Sequence, residues 1–261
     1  MSAGGEGRLI VRAARVVLAA LFFAGFAAGG VLMGFLLFPL LPFVGRGDAG
    51  RRRMRGCVRA TYRLFVWAAR VTGLFRVEAS PEDMRLVASS RGRVVVANHV
   101  SLIDVVLLMS VLPDSTAVAK VAASRNPFYS RVVRSAFIVN DDPAGVLSAA
   151  SDLLAAGVDV IVFPEGTRTS SGVKRRLHRG AAQIAVRAGT PVLCVSISCD
   201  PQVLAKGQAW WDVGARTVRY GLKVRGEIVP PPIETGASTH SAAAALTAEM
   251  ARMLWGAEEV A

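Results

Sequence analysis

Hydrophobic and polar positions follow two different patterns along this 261-residue chain. Near the start, residues 16–38 form one uncharged run made mostly of Val, Leu, Ala, Phe and Gly. As a helix, such a run is long enough to cross a hydrocarbon core of about 30 Å. The run is longer than the apolar core of a signal peptide, and it continues into residues 39–42 (PLLP) without a clear cleavage site. The pattern therefore predicts a retained membrane segment.

Arginines flank the apolar run on both sides. Arg8, Arg12 and Arg15 precede it, and Arg46, Arg51, Arg52, Arg53 and Arg55 follow it. Because the larger group follows the run, the positive-inside rule places the rest of the chain on the cytoplasmic side of a cell inner membrane or cytoplasmic membrane. Four glycines weaken a helix within the run. A dip into one leaflet, with both ends cytoplasmic, therefore stays open beside a full span.

Residues 51–76 repeat basic and apolar positions at three- and four-residue steps. The basic stripe consists of Arg52, Arg55, Arg59, Arg63 and Arg70, and the apolar stripe beside it consists of Met54, Val58, Tyr62, Phe65 and Ala69. This period predicts an amphipathic helix that lies on anionic lipid with its arginines at headgroup level. The alternative is an ordinary charged face exposed to solvent.

From about residue 90 the pattern changes to alternating strand and helix signals. Predicted strands cover residues 93–97, 117–119, 137–139, 158–163, 192–197 and 217–228, and predicted helices cover residues 101–112, 128–135, 143–156, 179–188 and 238–255. Such alternation indicates an α/β fold, in which helices flank a central, mostly parallel or mixed sheet. We therefore expect an N-terminal membrane-anchoring helical region over residues 1–78 and an α/β domain over residues 79–261.

Composition and charge narrow the class of protein. Hydrophobic residues make up 52% of the chain and its mean hydropathy is +0.43, which fits a globular domain attached to a membrane. Residues 1–76 hold twelve arginines and two acidic residues, a net of +10 out of the +12 of the whole chain. Without a zinc-finger spacing or a ribonucleoprotein motif, this distribution argues against nucleic acid and favours an anionic membrane surface as partner. Three cysteines without zinc-like spacing to histidine predict no metal site.

The segment NHVSLID at residues 98–104 places a histidine and a carboxylate five residues apart, just after a predicted strand. On a continuous helix His99 and Asp104 would lie about 140° apart, but a turn before Ser101 would let them meet. The carboxylate could then fix the imidazole tautomer and leave the other ring nitrogen to deprotonate a hydroxyl. The same residues also fit a capping box, in which Ser101 begins the helix and Asp104 folds back to the backbone. Taken alone, the segment does not separate the two interpretations.

The segment FPEGTR at residues 163–168 also follows a predicted buried strand. Gly166 permits a tight turn, Thr167 offers a hydroxyl, and Arg168 offers a planar group of donors that suits phosphate or carboxylate. Four more basic residues follow within eleven positions: Lys174, Arg175, Arg176 and Arg179. The pattern predicts an anion pocket near the histidine turn, with a solvated surface loop as the alternative.

Together these segments resemble the first and third signature blocks of the glycerolipid acyltransferases with a His-x4-Asp motif, whose best-known members are the 1-acylglycerol-3-phosphate acyltransferases. Lys120, the turn at residues 126–128 (NPF) and residues 189–192 (GTPV) extend the resemblance, which covers about residues 90–200. The N-terminal apolar segment is also similar to that of bacterial members.

The resemblance implies transfer of a fatty acyl group from acyl-coenzyme A or acyl carrier protein to the free hydroxyl of a lysolipid, with 1-acylglycerol-3-phosphate as the default acceptor and phosphatidic acid as the product. It implies that His99 is the general base and that Asp104 orients it. Pro191 and the strand after it would form part of an acyl-binding wall. No bound cofactor or metal is implied. The implied substrate-binding residues are Asn98, Ser101, Lys120, Glu165, Gly166, Thr167, Arg168 and Pro191.

One block departs from the family pattern. Where the second block usually ends in Phe-Ile-x-Arg, this chain has Asn140 and continues into Asp141 and Asp142. A neutral amide cannot replace a guanidinium in binding a dianion. Either Arg131, Arg134 or the basic loop after Arg168 compensates, or the acceptor is another lysolipid with a less charged head, such as lyso-ornithine lipid. A non-catalytic protein that binds anionic lipid, and a hydrolase with water as acceptor, are the competing classes.

Overall fold

The computed structural model describes residues 3–37, 47–170, 173, 175–231 and 239–256. Its helices are α1 (Ala3–Leu32, continued by a π-helical turn over Met33–Leu37), α2 (Gly47–Val71), α3 (Pro81–Ala88), α4 (Asp104–Val111), α5 (Ser130–Ala136), α6 (Pro143–Ala155), α7 (Gly180–Ala188) and α8 (Thr239–Trp255). Its strands are β1 (Phe75–Glu78), β2 (Val94–Ala97), β3 (Ser115–Lys120), β4 (Ile138–Asn140), β5 (Asp159–Val162), β6 (Val192–Asp200) and β7 (Val218–Ile228).

The strands form one seven-stranded sheet in the order β1-β7-β6-β2-β5-β3-β4. All neighbouring strands run parallel except β6 and β7, which pair antiparallel. The central strands β2 and β5 read VVVA and DVIV and are buried at every position. Strands covered on both faces need such continuous apolar runs rather than alternation. The predicted α/β class with a mostly parallel, mixed sheet is confirmed.

Successive side chains of β2 serve two different cores. Val95 and Ala97 pack with the buried residues of α2, α4 and β7, whereas Val94 and Val96 pack with those of α6, α7 and α8. This division follows from the two-residue period of a strand. Because strands β2, β3, β4 and β5 are parallel, their carboxyl ends meet at one edge of the sheet. Chemistry in open α/β sheets is usually found at that edge.

Two elements of the structure were not predicted from the sequence. Strand β1 has only four residues and lies at the sheet edge beside β7, where Phe75 pairs with Val218. Helix α3 begins at Pro81 after an N-cap, Ser80, whose hydroxyl accepts from the Asp83 N–H at 3.0 Å. An N-cap serine followed by proline is a recognisable helix start. The predicted helix over residues 51–76 in fact ends at Val71, before β1 begins.

Helix α1 lies along the α/β part of the molecule over most of its length. Near its start, Arg12 lies 4.0 Å from Asp212, and Arg15 donates to the carbonyls of Gly73 and Leu74. Farther along, Phe26 stacks on Tyr62. At the end of the segment, the Phe35 ring lies 4.1 Å from the Arg131 guanidinium carbon. A Cβ on Gly30 would lie 2.9 Å from the Phe128 carbonyl oxygen, so glycine permits this close packing. Two of the four glycines that weaken the helix locally, Gly30 and Gly34, are thus part of its docking surface.

The opposite side of α1 carries an exposed apolar stripe. Its members are Ile10, Val17, Leu21 and Leu32, which are between 57% and 70% exposed. Among the described residues, Ile10–Phe35 is one stretch that is long and apolar enough to cross a membrane, judged by length and composition. The predicted run ends at Phe38, which lies outside the described residues.

Helix α2 turns its apolar stripe toward the protein rather than outward. Val58, Tyr62 and Ala69 are buried in the same core as β2 and α4. On the other side of the helix, Leu64 and Trp67 are 62% and 61% exposed, and Val71 follows on the same ridge. The amphipathic period was therefore predicted correctly. The apolar stripe, however, packs against the protein, whereas it was expected to lie on lipid.

The basic stripe of α2 is divided between two roles. Arg55 is buried, and its Nε and Nη2 donate to the two Asp114 carboxylate oxygens at 2.6 and 3.0 Å. Arg59 donates to the Val111 carbonyl at 3.3 Å, whereas Arg63 and Arg70 remain exposed. The expectation that all five arginines face the headgroups is therefore wrong for Arg55, which ties α2 to the loop after α4.

We expect Arg55→Gln to lower the free energy of unfolding by about 2 kcal/mol, because the change leaves the Asp114 carboxylate without its bidentate cation. Thermal or denaturant unfolding of the protein in detergent micelles measures this loss. Arg63→Gln, a change of the same charge on the exposed side of the helix, is the matched control and should stay within about 0.5 kcal/mol of the unchanged protein. Equal unfolding midpoints for the two variants would contradict a structural role for the Arg55–Asp114 pair.

Candidate active site

The candidate site begins where β2 ends and the chain turns toward α4. Asn98 fixes this turn, because its Nδ2 donates to the Ile197 carbonyl at 2.8 Å and its Oδ1 accepts from the Ile197 N–H at 2.7 Å. The side-chain amide thus adds one more rung to the ladder between β2 and β6. Since both ends of the amide are engaged by the protein itself, Asn98 positions the turn that carries the next residue, His99.

The turn brings His99 and Asp104 together. The distance between His99 Nδ1 and Asp104 Oδ2 is 2.9 Å, and the imidazole stacks on the Phe163 ring with 4.2 Å between centroids. The Asp104 side chain is completely buried, whereas the His99 side chain keeps 19% of its exposure. A carboxylate at Nδ1 selects the tautomer with the proton on that atom. Nε2 is then the acceptor nitrogen, and no described residue donates a hydrogen bond to it.

Asp104 also performs the backbone half of the capping box. Its Oδ2 accepts from the N–H groups of Val100 and Ser101 at 2.7 and 2.8 Å, in addition to the His99 ring. The Ser101 hydroxyl does not complete the box, because it pairs with the Tyr220 hydroxyl at 2.8 Å, and the residue that precedes α4 is Ile103. One carboxylate oxygen therefore holds both the turn and the imidazole, so the two interpretations of this segment are compatible.

Asp104 is a buried carboxylate with only part of its hydrogen-bonding capacity used. Burial raises the pKa of Asp104, while the hydrogen bonds from His99 and from the Ser101 and Val100 N–H groups act in the opposite direction. The second carboxylate oxygen, Oδ1, is buried without a hydrogen-bond partner. A buried carboxylate is costly unless it is paired. A proton taken up by His99 would supply the missing counter-charge, which is what a general base requires of its neighbour.

The second motif is attached directly to the histidine turn. The Glu165 Oε1 accepts from the His99 N–H at 2.9 Å, and the Thr169 N–H donates to the His99 carbonyl at 2.7 Å. Gly166 adopts φ +63°, and a Cβ there would lie 3.1 Å from the His178 ring. Both its left-handed backbone and its close packing therefore require glycine. The two segments, about sixty residues apart in sequence, are therefore in direct contact.

Three cations border the cavity in front of His99. They are Lys120 at the end of β3, Arg168 in the second motif, and Lys206 in the loop between β6 and β7. Lys120 is paired in register with Asn140 of β4, and both reach the same cavity. The cavity has a volume of about 1360 Å³, and no described Asp or Glu lines it. The site therefore combines a candidate base with a positively charged wall.

The rest of the cavity wall is apolar and aromatic. It extends from His99 between the sheet and the N-terminal helices, where Phe22, Phe26 and Met33 of the α1 segment face Phe65 and Phe75. Such a lining suits a hydrocarbon chain, because burying each CH₂ group contributes about 0.8 kcal/mol. The helices predicted as a membrane anchor thus also form one wall of the cavity. No pattern in the sequence indicated this second role.

Several residues expected at the site lie elsewhere. Pro191 precedes β6, and its carbonyl accepts from the Val94 N–H at the start of β2. It therefore lies at the amino ends of these parallel strands, whereas His99 follows the carboxyl end of β2. Arg131 stacks on Phe35, and Arg134 donates to the Ser124 carbonyl at 3.1 Å. Neither arginine lines the cavity, which argues against both as replacements for the cation missing at residue 140. Lys174, in the basic loop, lies outside the described residues.

The β6–β7 loop contains site residues that sequence reasoning missed. Gln202 Nε2 donates to the Val100 carbonyl at 3.0 Å and to the Thr169 carbonyl at 3.1 Å, and so joins the two motif turns. The Leu204 carbonyl accepts from Arg168 Nη1 at 2.5 Å and from the Leu102 N–H at 3.3 Å. These contacts depend on backbone groups, which carry no sequence signal. Among the described residues, no group of three or more His, Cys, Asp or Glu could hold a metal ion.

Comparisons with known proteins agree on the type of chemistry. An acyltransferase family model matches residues 66–198. A 1-acyl-sn-glycerol-3-phosphate acyltransferase from Pseudomonas aeruginosa is 26% identical over 211 residues, which are 78% of this chain and 76% of that protein. The human 1-acyl-sn-glycerol-3-phosphate acyltransferase alpha is 31% identical over 56% of this chain and 51% of its own length, so the chain spans about half of that relative. The crystal structure of the 1-acyl-sn-glycerophosphate acyltransferase PlsC from Thermotoga maritima has the same fold, with a TM-score of 0.63 and 23% identity over 92% of this chain and 96% of that chain.

Proposed function

The chain belongs to the acyltransferase family, and from that premise we propose that it transfers a fatty acyl group from an acyl thioester to the free hydroxyl of 1-acylglycerol-3-phosphate, giving phosphatidic acid. The single observation that carries this proposal is the open Nε2 of His99 on the same cavity as the Arg168 cation and the apolar wall. A hydroxyl, an anionic head and acyl chains are the three chemical features that this cavity can accommodate together.

The proposed reaction is a direct transfer. His99 Nε2 takes the proton of the acceptor hydroxyl as its oxygen attacks the thioester carbonyl, and a tetrahedral intermediate forms. The carbon–sulfur bond then breaks, and the imidazolium returns the proton to the leaving thiolate, so that the enzyme ends as it began. Asp104 holds the ring through Nδ1 and stabilises its transient charge. The donor is acyl-coenzyme A or acyl carrier protein.

The anionic acceptor is supported by the electrostatics of the cavity. Lys120, Arg168 and Lys206 line it without an opposing carboxylate among the described residues. Cations on a partly dry wall attract a phosphate strongly, because the surrounding dielectric is low. Asn140 favours a second candidate, a lysolipid with a less charged head such as lyso-ornithine lipid, since it contributes no charge at the end of β4.

We also propose that the protein lies on the cytoplasmic face of the cell membrane, with α1 parallel to the surface in one leaflet. Both ends of the Ile10–Phe35 stretch contact the same folded domain, through Arg12 and Phe35. A helix that crossed the bilayer would carry one of these contacts into the hydrocarbon core. The outward stripe of α1 and the exposed ridge of Leu64 and Trp67 on α2 present the apolar face that such a position requires.

An acceptor screen tests the proposed function. Purified protein in mixed micelles would be given 1-acylglycerol-3-phosphate, lysophosphatidylethanolamine or lyso-ornithine lipid, each with acyl-coenzyme A and with acyl carrier protein as donor. We expect 1-acylglycerol-3-phosphate to give a kcat/KM at least about tenfold above the other acceptors, because only it brings a dianion to the cations. A higher kcat/KM with lyso-ornithine lipid would make that lipid the acceptor in place of 1-acylglycerol-3-phosphate. Release of free fatty acid without acylated product would indicate a hydrolase instead, and no reaction at all would favour a lipid-binding protein.

A further inference from the structure

The β6–β7 loop is held in a fixed position over the site. Gln202 and Leu204 bond to both motif turns, through the Val100 and Thr169 carbonyls, the Leu102 N–H and the Arg168 guanidinium. The loop is also closed on itself, because Gln208 Oε1 accepts from the Ala205 N–H at 3.1 Å and Gln208 Nε2 donates to the Gln202 carbonyl at 3.2 Å. Such cross-linking orders the backbone before any ligand binds.

Lys206 is presented at the corner of a β-turn within this loop. The Gln208 N–H donates to the Ala205 carbonyl at 3.2 Å, and Gly207 at the third position has φ +81°, the geometry of a type II turn. Lys206 occupies the second position of this turn and is exposed. Its Cα lies within roughly 7.6 Å of the Leu204 Cα, since each step along the chain spans about 3.8 Å. The Leu204 carbonyl is in turn bonded to Arg168.

The Lys206 charge is not neutralised by its surroundings in the described structure. None of the ion pairs among the described residues includes Lys206. The carboxylate of the same loop, Asp212, accepts from Gln208 Nε2 at 3.1 Å and lies 4.0 Å from Arg12. Asp200, just before the loop, pairs with Arg219 at 2.8 Å. Lys206 is exposed and lines the cavity together with Arg168, as a cation that is not paired with any described carboxylate.

We propose that Lys206 is an acceptor-binding residue that holds the phosphate of the lysophospholipid together with Arg168. The two cations would grip the phosphate from the loop and from the second motif, while the acceptor hydroxyl reaches His99 Nε2. This division places the phosphate near the ends of β6 and β5, whereas Asn140 ends β4, an edge strand of the sheet. The inference rests on the proposed function, because it assigns a residue to the same acceptor.

The test compares Lys206→Gln with Lys206→Arg and with Lys223→Gln, which removes the same charge from an exposed position on β7 that does not line the cavity. With 1-acylglycerol-3-phosphate as acceptor, Lys206→Gln should raise KM about tenfold and change kcat less than twofold, because one charge-assisted hydrogen bond is lost. Lys206→Arg should restore KM, and Lys223→Gln should leave it unchanged. An unchanged KM in Lys206→Gln would overturn the proposal.

Two further measurements separate this inference from its alternatives. Equilibrium binding of 1-acylglycerol-3-phosphate to His99→Ala protein in micelles, with and without Lys206→Gln, tests the contact without turnover. If Lys206→Gln weakened this binding tenfold, the contact between Lys206 and the phosphate would be supported, even if the unchanged protein catalysed a different reaction. Equal binding with and without Lys206→Gln would refute the contact. Binding of each variant to vesicles with anionic lipid tests the membrane as the source of phosphate. If Lys206→Gln weakened vesicle binding by the same factor as it raised KM, Lys206 would be a bilayer contact and the proposal would be wrong.

Discussion

His99→Ala should lower kcat/KM for acyl transfer by about a thousandfold, the largest effect of any single change in this protein. Among the described residues that line the cavity, His99 is paired with a buried carboxylate, and the 2.9 Å contact between Nδ1 and Asp104 Oδ2 leaves Nε2 as the acceptor nitrogen. Without it, the acceptor hydroxyl has no positioned base and must attack as a neutral group. Formation of labelled product in mixed micelles, at several acceptor concentrations, measures the loss.

The chain offers a matched control in His240, a histidine on α8 that lies next to Arg179 and does not line the cavity. His240→Ala should retain full turnover. Asp104→Asn should fall between the two variants, because the amide oxygen can still accept from Nδ1–H but supplies no negative charge to stabilise the imidazolium. All three variants should bind anionic vesicles like the unchanged protein. Near-normal turnover in His99→Ala protein, with an unchanged unfolding midpoint, would show that His99 does not take part in the reaction.

The second large effect concerns the membrane. Replacing Leu64 and Trp67 together by Glu should weaken binding to vesicles by about a hundredfold, since burying such a side chain contributes about 1.5–3 kcal/mol. Both side chains are more than 60% exposed, so the fold does not depend on them. They share a helix with Arg63 and Arg70, which remain exposed near the headgroups in the proposed orientation. Vesicle flotation at low and high salt gives the partition coefficient.

Val229→Glu is the matched control for this experiment. Val229 is 72% exposed, but it follows β7 and is not part of α1 or α2. Its replacement should leave vesicle binding unchanged at any salt concentration. If the double variant at Leu64 and Trp67 bound vesicles as well as Val229→Glu protein, the α2 ridge would not be in the bilayer. α1 would then have to carry the attachment alone, which favours a spanning helix over one parallel to the surface.

Local patterns in the sequence were sufficient for most of the fold. Continuous apolar runs marked β2 and β5, and the helix predicted over residues 179–188 ends at Ala188, as α7 does, before Gly189 with φ +61°. The edge strand β1 was missed because four residues with one buried position carry little periodicity. The period of α2 was also visible, but not the surface on which its apolar stripe packs. Periodicity defines which residues share a face, whereas only the packed structure shows what that face contacts.

The two motifs show the same limit at the site. Their residue types and their places after buried strands predicted that a histidine, a carboxylate and an arginine would lie together at the carboxyl ends of the strands. Only the tertiary structure decided that Asp104 Oδ2 serves the turn and the imidazole together, and that Pro191 lies at the far edge. Residues such as Gln202, Leu204 and Lys206 were not predictable, because loop position and backbone hydrogen bonds leave no repeat or spacing. The sequence by itself thus determined the class of chemistry, and the fold decided which side chains surround it, since long-range contacts depend on the path of the whole chain.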